Sequence, residues 1–155
     1  MSNQTDEAPR FYKQTWDLEY KHAVGETTGR FLQGLAQGEI WGRRTQDGRV
    51  LVPPRSFDDQ TMTRTEDWVK VGLTGTVEMS TVVYEAFKGL PDPPYAIAYV
   101  LLEGADTALV GYVRGVELGE QSSAVEAVKI GTPMRVAFSE DPQGTAADYW
   151  FEPID

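Results

Sequence analysis

Arg43, Arg44, Arg49 and Arg55 fall within thirteen residues, opposed only by Asp47, so that window carries +3 in a chain whose formal net charge is −10. Guanidinium groups present planar donor forks that match phosphate oxygens, so this is where an anionic ligand would be read. The same arginines would serve equally as a solvated face or as contacts to acidic patches of a partner. Few other side chains are placed for chemistry. His22 is the only histidine, and no serine stands in a G-x-S-x-G setting to use it. There are no cysteines, which excludes a thiolate nucleophile, a disulfide framework and a cysteine zinc site. Asp58 and Asp59 are adjacent carboxylates, and adjacent side chains diverge on most backbones, so a shared acid–base site is not expected. Glu140-Asp141 lies in turn chemistry and reads as a solvated pair.

The elements that must carry these residues are mostly strands. Trp68–Tyr84 is the longest strand-like run. Its alternation places Leu73, Gly75, Val77 and Met79 on one side and Thr74, Thr76, Glu78 and Ser80 on the other. Gly72 and Gly75 interrupt it, as in a coiled strand that pairs on both of its halves. Tyr95–Leu102 is a nearly continuous apolar run, hence a buried second strand, and Thr107–Arg114 follows the turn Glu103–Asp106. Ser123 and Glu126 match a capping box, which predicts a helix from Ser123 to near Gly131. Met134–Phe138 and Asp148–Phe151 complete five strands. Three strands, a helix and two strands is the order of the OB-fold, a five-stranded Greek-key barrel.

Ahead of the barrel, Phe11–His22 alternates Trp16, Leu18 and Tyr20 with Asp17, Glu19 and Lys21 and predicts an amphipathic strand. Thr27 or Thr28 caps a predicted helix Thr28–Gln37 that places Phe31, Leu32 and Leu35 on one face and stops at Gly38. This pair must lie on the barrel or on a partner. Thr45-Gln46-Asp47-Gly48 joins two apolar runs and predicts a hairpin, ended by Pro53-Pro54. The expected organisation is a strand and helix over 1–38, the hairpin region over 39–67 and the barrel over 68–155. Phe87 and Leu90 stand on the proline-bounded loop between the first two barrel strands. They form a contact surface or fold back over the barrel. The four tryptophans, Trp16, Trp41, Trp68 and Trp150, read as core or interface anchors.

An ordered set of segments resembles the OB-fold, acyl-CoA-associated family, whose members carry a rubredoxin-like zinc ribbon before the barrel. The set is RFLQGLAQGEIWGRR at 30–44, DGRVLVPPR at 47–55, WVKVGLTGTV at 68–77, PPYAIAYVLLEGAD at 93–106 and IGTPMRVAF at 130–138. The family's paired C-x-x-C motifs correspond to Arg44 and Asp47, and to the region of Asp58 and Thr61. Those residues do not supply a tetrahedral zinc set, so the expectation is a ribbon that has lost its metal. The resemblance implies a non-catalytic accessory subunit of a thiolase-like or aldolase enzyme acting on acyl-CoA, including steroid side chains, in some cases beside a MaoC-type hydratase. It implies a coenzyme A thioester shared with that partner. Arg43, Arg44, Pro53, Pro54 and Arg55 are the candidate residues toward it, the arginines for its phosphates and the prolines for its adenine or pantetheine edge. Phe31, Leu35, Phe87 and Leu90 are the candidate partner contacts.

Two other readings remain: a self-contained acyl-CoA-handling enzyme and an OB-fold oligonucleotide binder. The net charge of −10 opposes the latter, since nucleic-acid affinity rests on basic side chains. No run reaches the roughly 20 apolar residues of a membrane span, and the polar acidic start MSNQTDEAP is unlike a signal peptide. A cytoplasmic location is expected.

Overall fold

The structure is a computed structural model that describes residues 21–154. The strand expected over 11–22 lies outside the described residues except for Lys21 and His22, which are irregular. The first element is helix α1, Glu26–Ala36. It opens at Gly25 with no side-chain cap, so neither Thr27 nor Thr28 caps it. It closes as a Schellman turn, with the Gly38 N–H on the Leu35 carbonyl at 3.1 Å and the Glu39 N–H on the Gly34 carbonyl at 2.9 Å. Phe31 and Leu35, one helical turn apart, are both buried.

A small sheet follows, built from β1 (Trp41–Arg44), β2 (Val50–Leu51) and β3 (Trp68–Lys70) in the order β2-β1-β3. The Asp47-Gly48 turn joins β1 to β2 as expected, with Gly48 at a φ of +93° that suits a residue without Cβ. The run Trp68–Tyr84 therefore divides between two sheets. Its first three residues pair with β1, and β4 (Thr74–Val83) opens the barrel.

The barrel adds β5 (Tyr95–Leu102), β6 (Leu109–Val113), helix α2 (Gln121–Ala127), β7 (Pro133–Phe138) and β8 (Tyr149–Pro153). It closes in the order β4-β5-β6-β8-β7, antiparallel except for the β6–β8 pairing. Three strands, a helix and two strands in a closed five-stranded barrel is the OB-fold expected from sequence. β4 pairs with β5 along its length and with β7 at Thr74–Thr76, so one coiled strand closes the barrel on both sides.

Three local expectations are corrected. Met79 does not share the buried face of Val77: Val77 pairs with Val100 but Met79 pairs with Tyr99, leaving Glu78 as the extra residue of a bulge. The bulge reverses the alternation, so Val77 is buried, Met79 is 62% exposed and Val82 packs on the core. Ser123 does not cap α2, which starts from Glu120; its hydroxyl donates back to the Glu120 carbonyl at 2.9 Å. The capping box lies instead at Thr145 and Asp148, around the 3-10 turn Ala146–Asp148. Finally, the third barrel strand starts at Leu109 rather than Thr107, because the Thr107 hydroxyl is engaged with the N–H and carbonyl of Val52 at 2.7 and 2.9 Å.

That last contact docks the small sheet on the barrel. The Val50 N–H donates to Asp106 Oδ2 at 2.8 Å beside it, so the β5–β6 turn satisfies an edge of β2. One hydrophobic cluster runs through Phe31 and Leu35 of α1, Ile40, Val50 and Val52 of the small-sheet region, and Val77, Val100, Leu109, Met134 and Phe151 of the barrel. The helix thus lies on the chain's own body, which answers where it packs.

Candidate functional site

The arginine window folds mainly around its own partners. Arg43, on β1, donates from Nε to Thr65 Oγ1 at 3.1 Å and from Nη2 to the Thr65 carbonyl at 2.7 Å. Arg44 donates to the Gly48 carbonyl at 3.2 Å. Arg49 reaches Asp47 Oδ2 at 3.0 Å and both oxygens of Asp58 at 2.9 and 2.8 Å. Arg55 pairs with Asp59 at 2.6 Å, both side chains being about half exposed. Asp58 and Asp59 therefore point apart, as adjacency suggested, one inward to Arg49 and one outward to Arg55. The charge excess seen in sequence shrinks because these two carboxylates lie just beyond the window.

Asp58 is fully buried and accepts further bonds from the Gln60 N–H at 3.0 Å and the Thr61 hydroxyl at 2.9 Å. Thr45, also buried, donates to Asp47. The Arg49 guanidinium thus sits between Asp47 and Asp58, in the region where the resemblance implies a metal. These donors do not fit a zinc ion: the two carboxylates are committed to a fixed cation, and among the described residues no group of three His, Asp or Glu side chains converges.

The Gln60 N–H, then the Thr61 hydroxyl and Arg49, hold the Asp58 carboxyl below its ordinary range against the opposing effect of burial. The N–H groups of Gln143 and Thr145 do the same for Asp148. In the unfolded chain such carboxyls titrate near ~3.9. As pH falls, the unfolded chain binds protons first, so this stabilisation is complete above the unfolded value and is lost as pH drops through the folded ones. The Tm is expected to hold between neutrality and about pH 5, then fall steadily below about pH 4. A thermal melt series checks this, and a Tm unchanged down to pH 3 would contradict it.

Sequence reasoning missed Arg30. From α1 its guanidinium lies 4.4 Å from the Trp68 ring centre and 5.3 Å from that of Trp41, while Arg43 approaches Trp68 at 5.0 Å. Trp68 is thus contacted by two cations from separate elements. Among the described residues, Arg30, Arg43 and Arg44 have no carboxylate partner. Only the folded helix brings Arg30 to this sheet, so no spacing rule could have found it.

Pro53 follows β2 and lines an apolar cleft of about 370 Å³ with Phe31, Ile97, Val110, Tyr112 and Tyr149. The cleft lies where helix, small sheet and barrel meet. Burial pushes the Tyr149 phenol up to about 12, so it stays a donor at neutral pH, and it bonds the Val110 carbonyl. Pro54 is half-buried beside Pro53. Of the candidate partner contacts, Phe31 and Leu35 are corrected to core residues, 7% and 0% exposed, because α1 packs on the barrel. Phe87 and Leu90 remain 56% and 51% exposed on their loop and do not fold back. His22 is exposed and irregular. Buried Thr45, Asp58 and Asp148 are engaged in bonds that hold turns, and buried Thr65 bonds the Arg55 carbonyl. No helix among the described residues is long and apolar enough to cross a membrane.

Residues 68–139 match the family described as ChsH2, C-terminal OB-fold domain. Among solved structures, one titled Ltp2-ChsH2(DUF35) aldolase superposes with a TM-score of 0.66 at 19% identity, over 86% of this chain and 98% of that one. A DUF35-family protein of unknown function from Sulfolobus solfataricus superposes with a TM-score of 0.60 at 21% identity, over 84% and 87%. At such identities the likeness is one of fold. No curated protein matches the chain. The strand order, the helix position and the match over residues 68–139 agree: this segment is similar to the ChsH2 C-terminal OB-fold domain, and the barrel it opens is an OB-fold.

Proposed function

We propose that this chain is a non-catalytic accessory subunit of a thiolase-like acyl-CoA enzyme, a thiolase or a retro-aldolase, and that it completes the partner's acyl-CoA site. The observation that carries this reading is the fold match to the structure titled Ltp2-ChsH2(DUF35) aldolase. It covers 86% of the chain and so extends beyond the barrel into the small sheet and helix. The reading is supported by the use of buried polar side chains for internal bonds, and by an apolar cleft lined by Pro53, two residues before Arg55. In this reading the Pro53 cleft takes the apolar edge of the thioester, of steroid or other acyl origin, and Arg43, Arg44 and Arg55 face its phosphates. Arg55 is free to exchange Asp59 for a ligand, since exposed ion pairs are weak. The ribbon folds without zinc, and a MaoC-type hydratase is a further subunit compatible with the same assembly. The protein acts in the cytoplasm.

Affinity purification of the tagged full chain from the cells that encode it tests the reading. A stable hetero-oligomer with a thiolase-like chain is expected; recovery of this chain alone would contradict it. In that complex, Arg43→Ala with Arg55→Ala is expected to weaken acyl-CoA binding at least about tenfold, the effect of losing charge-assisted bonds. Unchanged affinity by calorimetry would remove the arginines from the site.

A further inference from the structure

β5 reads YAIAYVLL, apolar on both faces, as in a strand covered on both sides. Its inner residues Ala96, Ala98, Val100 and Leu102 are buried in the barrel. Its outer face is covered at Tyr95 but open further along: Tyr99 is 45% exposed and Ile97 is half-buried. The register extends this face across three strands, with Met79 opposite Tyr99 and Tyr99 opposite Val110. Met79 and Val110 are 62% and 40% exposed. The Glu78 bulge is what turns Met79 outward, so the local irregularity builds the patch. Ile130, 74% exposed, joins Met79 and Tyr99 along an open groove of about 820 Å³. The next row, Ile97 opposite Tyr112, leads into the Pro53 cleft, which Val110 also lines.

The geometry points to this outer face of β4, β5 and β6 as the docking surface for the catalytic subunit, seated so that it forms the missing wall of the Pro53 cleft. This inference rests on the proposed function. A large exposed apolar patch on a sheet marks a contact surface, and Tyr and Met are residues enriched in such contacts. Charge selects the occupant. Glu78 on the rim has no ion-pair partner among the described residues, while Lys129 beside Ile130 is neutralised by Glu126. A second copy would bring another chain of net charge −10 against the same acidic rim. The complementary surface is an apolar patch bordered by Arg or Lys, carried by a different polypeptide.

A photo-crosslinking amino acid of phenylalanine size tests this in the tagged full chain, expressed in the cells that encode it. It is placed at Tyr99, at Phe87 or at the exposed Glu117, and adducts are identified by mass spectrometry. Adducts to a thiolase-like chain from position 99, at least about tenfold over position 117, are expected. A position-99 adduct with a second copy would overturn the proposal. So would adducts to the thiolase-like chain from position 87 without any from 99; that result keeps the proposed function and moves the interface to the loop. Absence of a thiolase-like adduct from every position would overturn both.

Discussion

Gly75→Ala is expected to break the barrel where it closes. A Cβ built at Gly75 would lie 2.2 Å from the Leu101 carbonyl oxygen and 2.8 Å from Leu102 Cα. Both are backbone atoms, so no side-chain rotation relieves the clash. Gly75 pairs with Leu102 on one side and Met134 on the other, and separating β4 from β5 would also strain its pairing with β7. Overpacking of interiors costs typically about 1–3 kcal/mol; with a backbone obstacle the cost should reach or exceed the upper end of that range. For a chain of this size that is roughly a 10 °C fall in Tm, or failure to accumulate as a folded protein. Gly119→Ala is the control: nothing lies within 4 Å of its built Cβ, and its effect should be within about 0.5 kcal/mol. Equal melting of the two variants would contradict the described closure.

Asp58→Ala is expected to have the second largest effect. It removes the buried partner of Arg49, leaving only the more exposed Asp47, and strands the Gln60 N–H and Thr61 hydroxyl. Losing the buried member of an ion pair is strongly destabilising, here chiefly because the buried N–H and hydroxyl that Asp58 accepts from lose their acceptor while Arg49 keeps only Asp47. A Tm loss of roughly 10 °C is expected by circular dichroism. The double variant Arg49→Met with Asp58→Leu should recover part of it, since apolar replacement of a whole buried pair is often tolerated. A chelator should leave the wild-type Tm unchanged, because Asp47 and Asp58 are already paired with the Arg49 guanidinium. A fall in Tm with chelator would show instead that the ribbon holds a metal.

The barrel was legible because its signals are local: alternation, apolar runs and turn chemistry identify strands without reference to distant residues. The bulge at Glu78 was not, since the sequence alternates smoothly through it and only pairing with β5 inserts the extra residue. The Ser123 box misled because its spacing is right while its backbone is already helical. The true box at Thr145 carries Asp148 in place of the usual Glu or Gln. In the hairpin region, the absence of cysteines was legible but not the contacts that hold the segment. Arg49 and Asp58 are nine residues apart, and only the folded hairpin makes them partners. Phe31 and Leu35 were legible as a hydrophobic face but not as core, because an apolar stripe does not say which surface covers it.

Turnover of an acyl-CoA substrate, measured on the purified chain alone and again on its proposed complex with a thiolase-like subunit, tests the proposed function most directly. The expected result is no thioester cleavage or condensation by the chain alone and full activity in the complex. Steady turnover by the isolated chain, with no second polypeptide present by mass spectrometry, would contradict it.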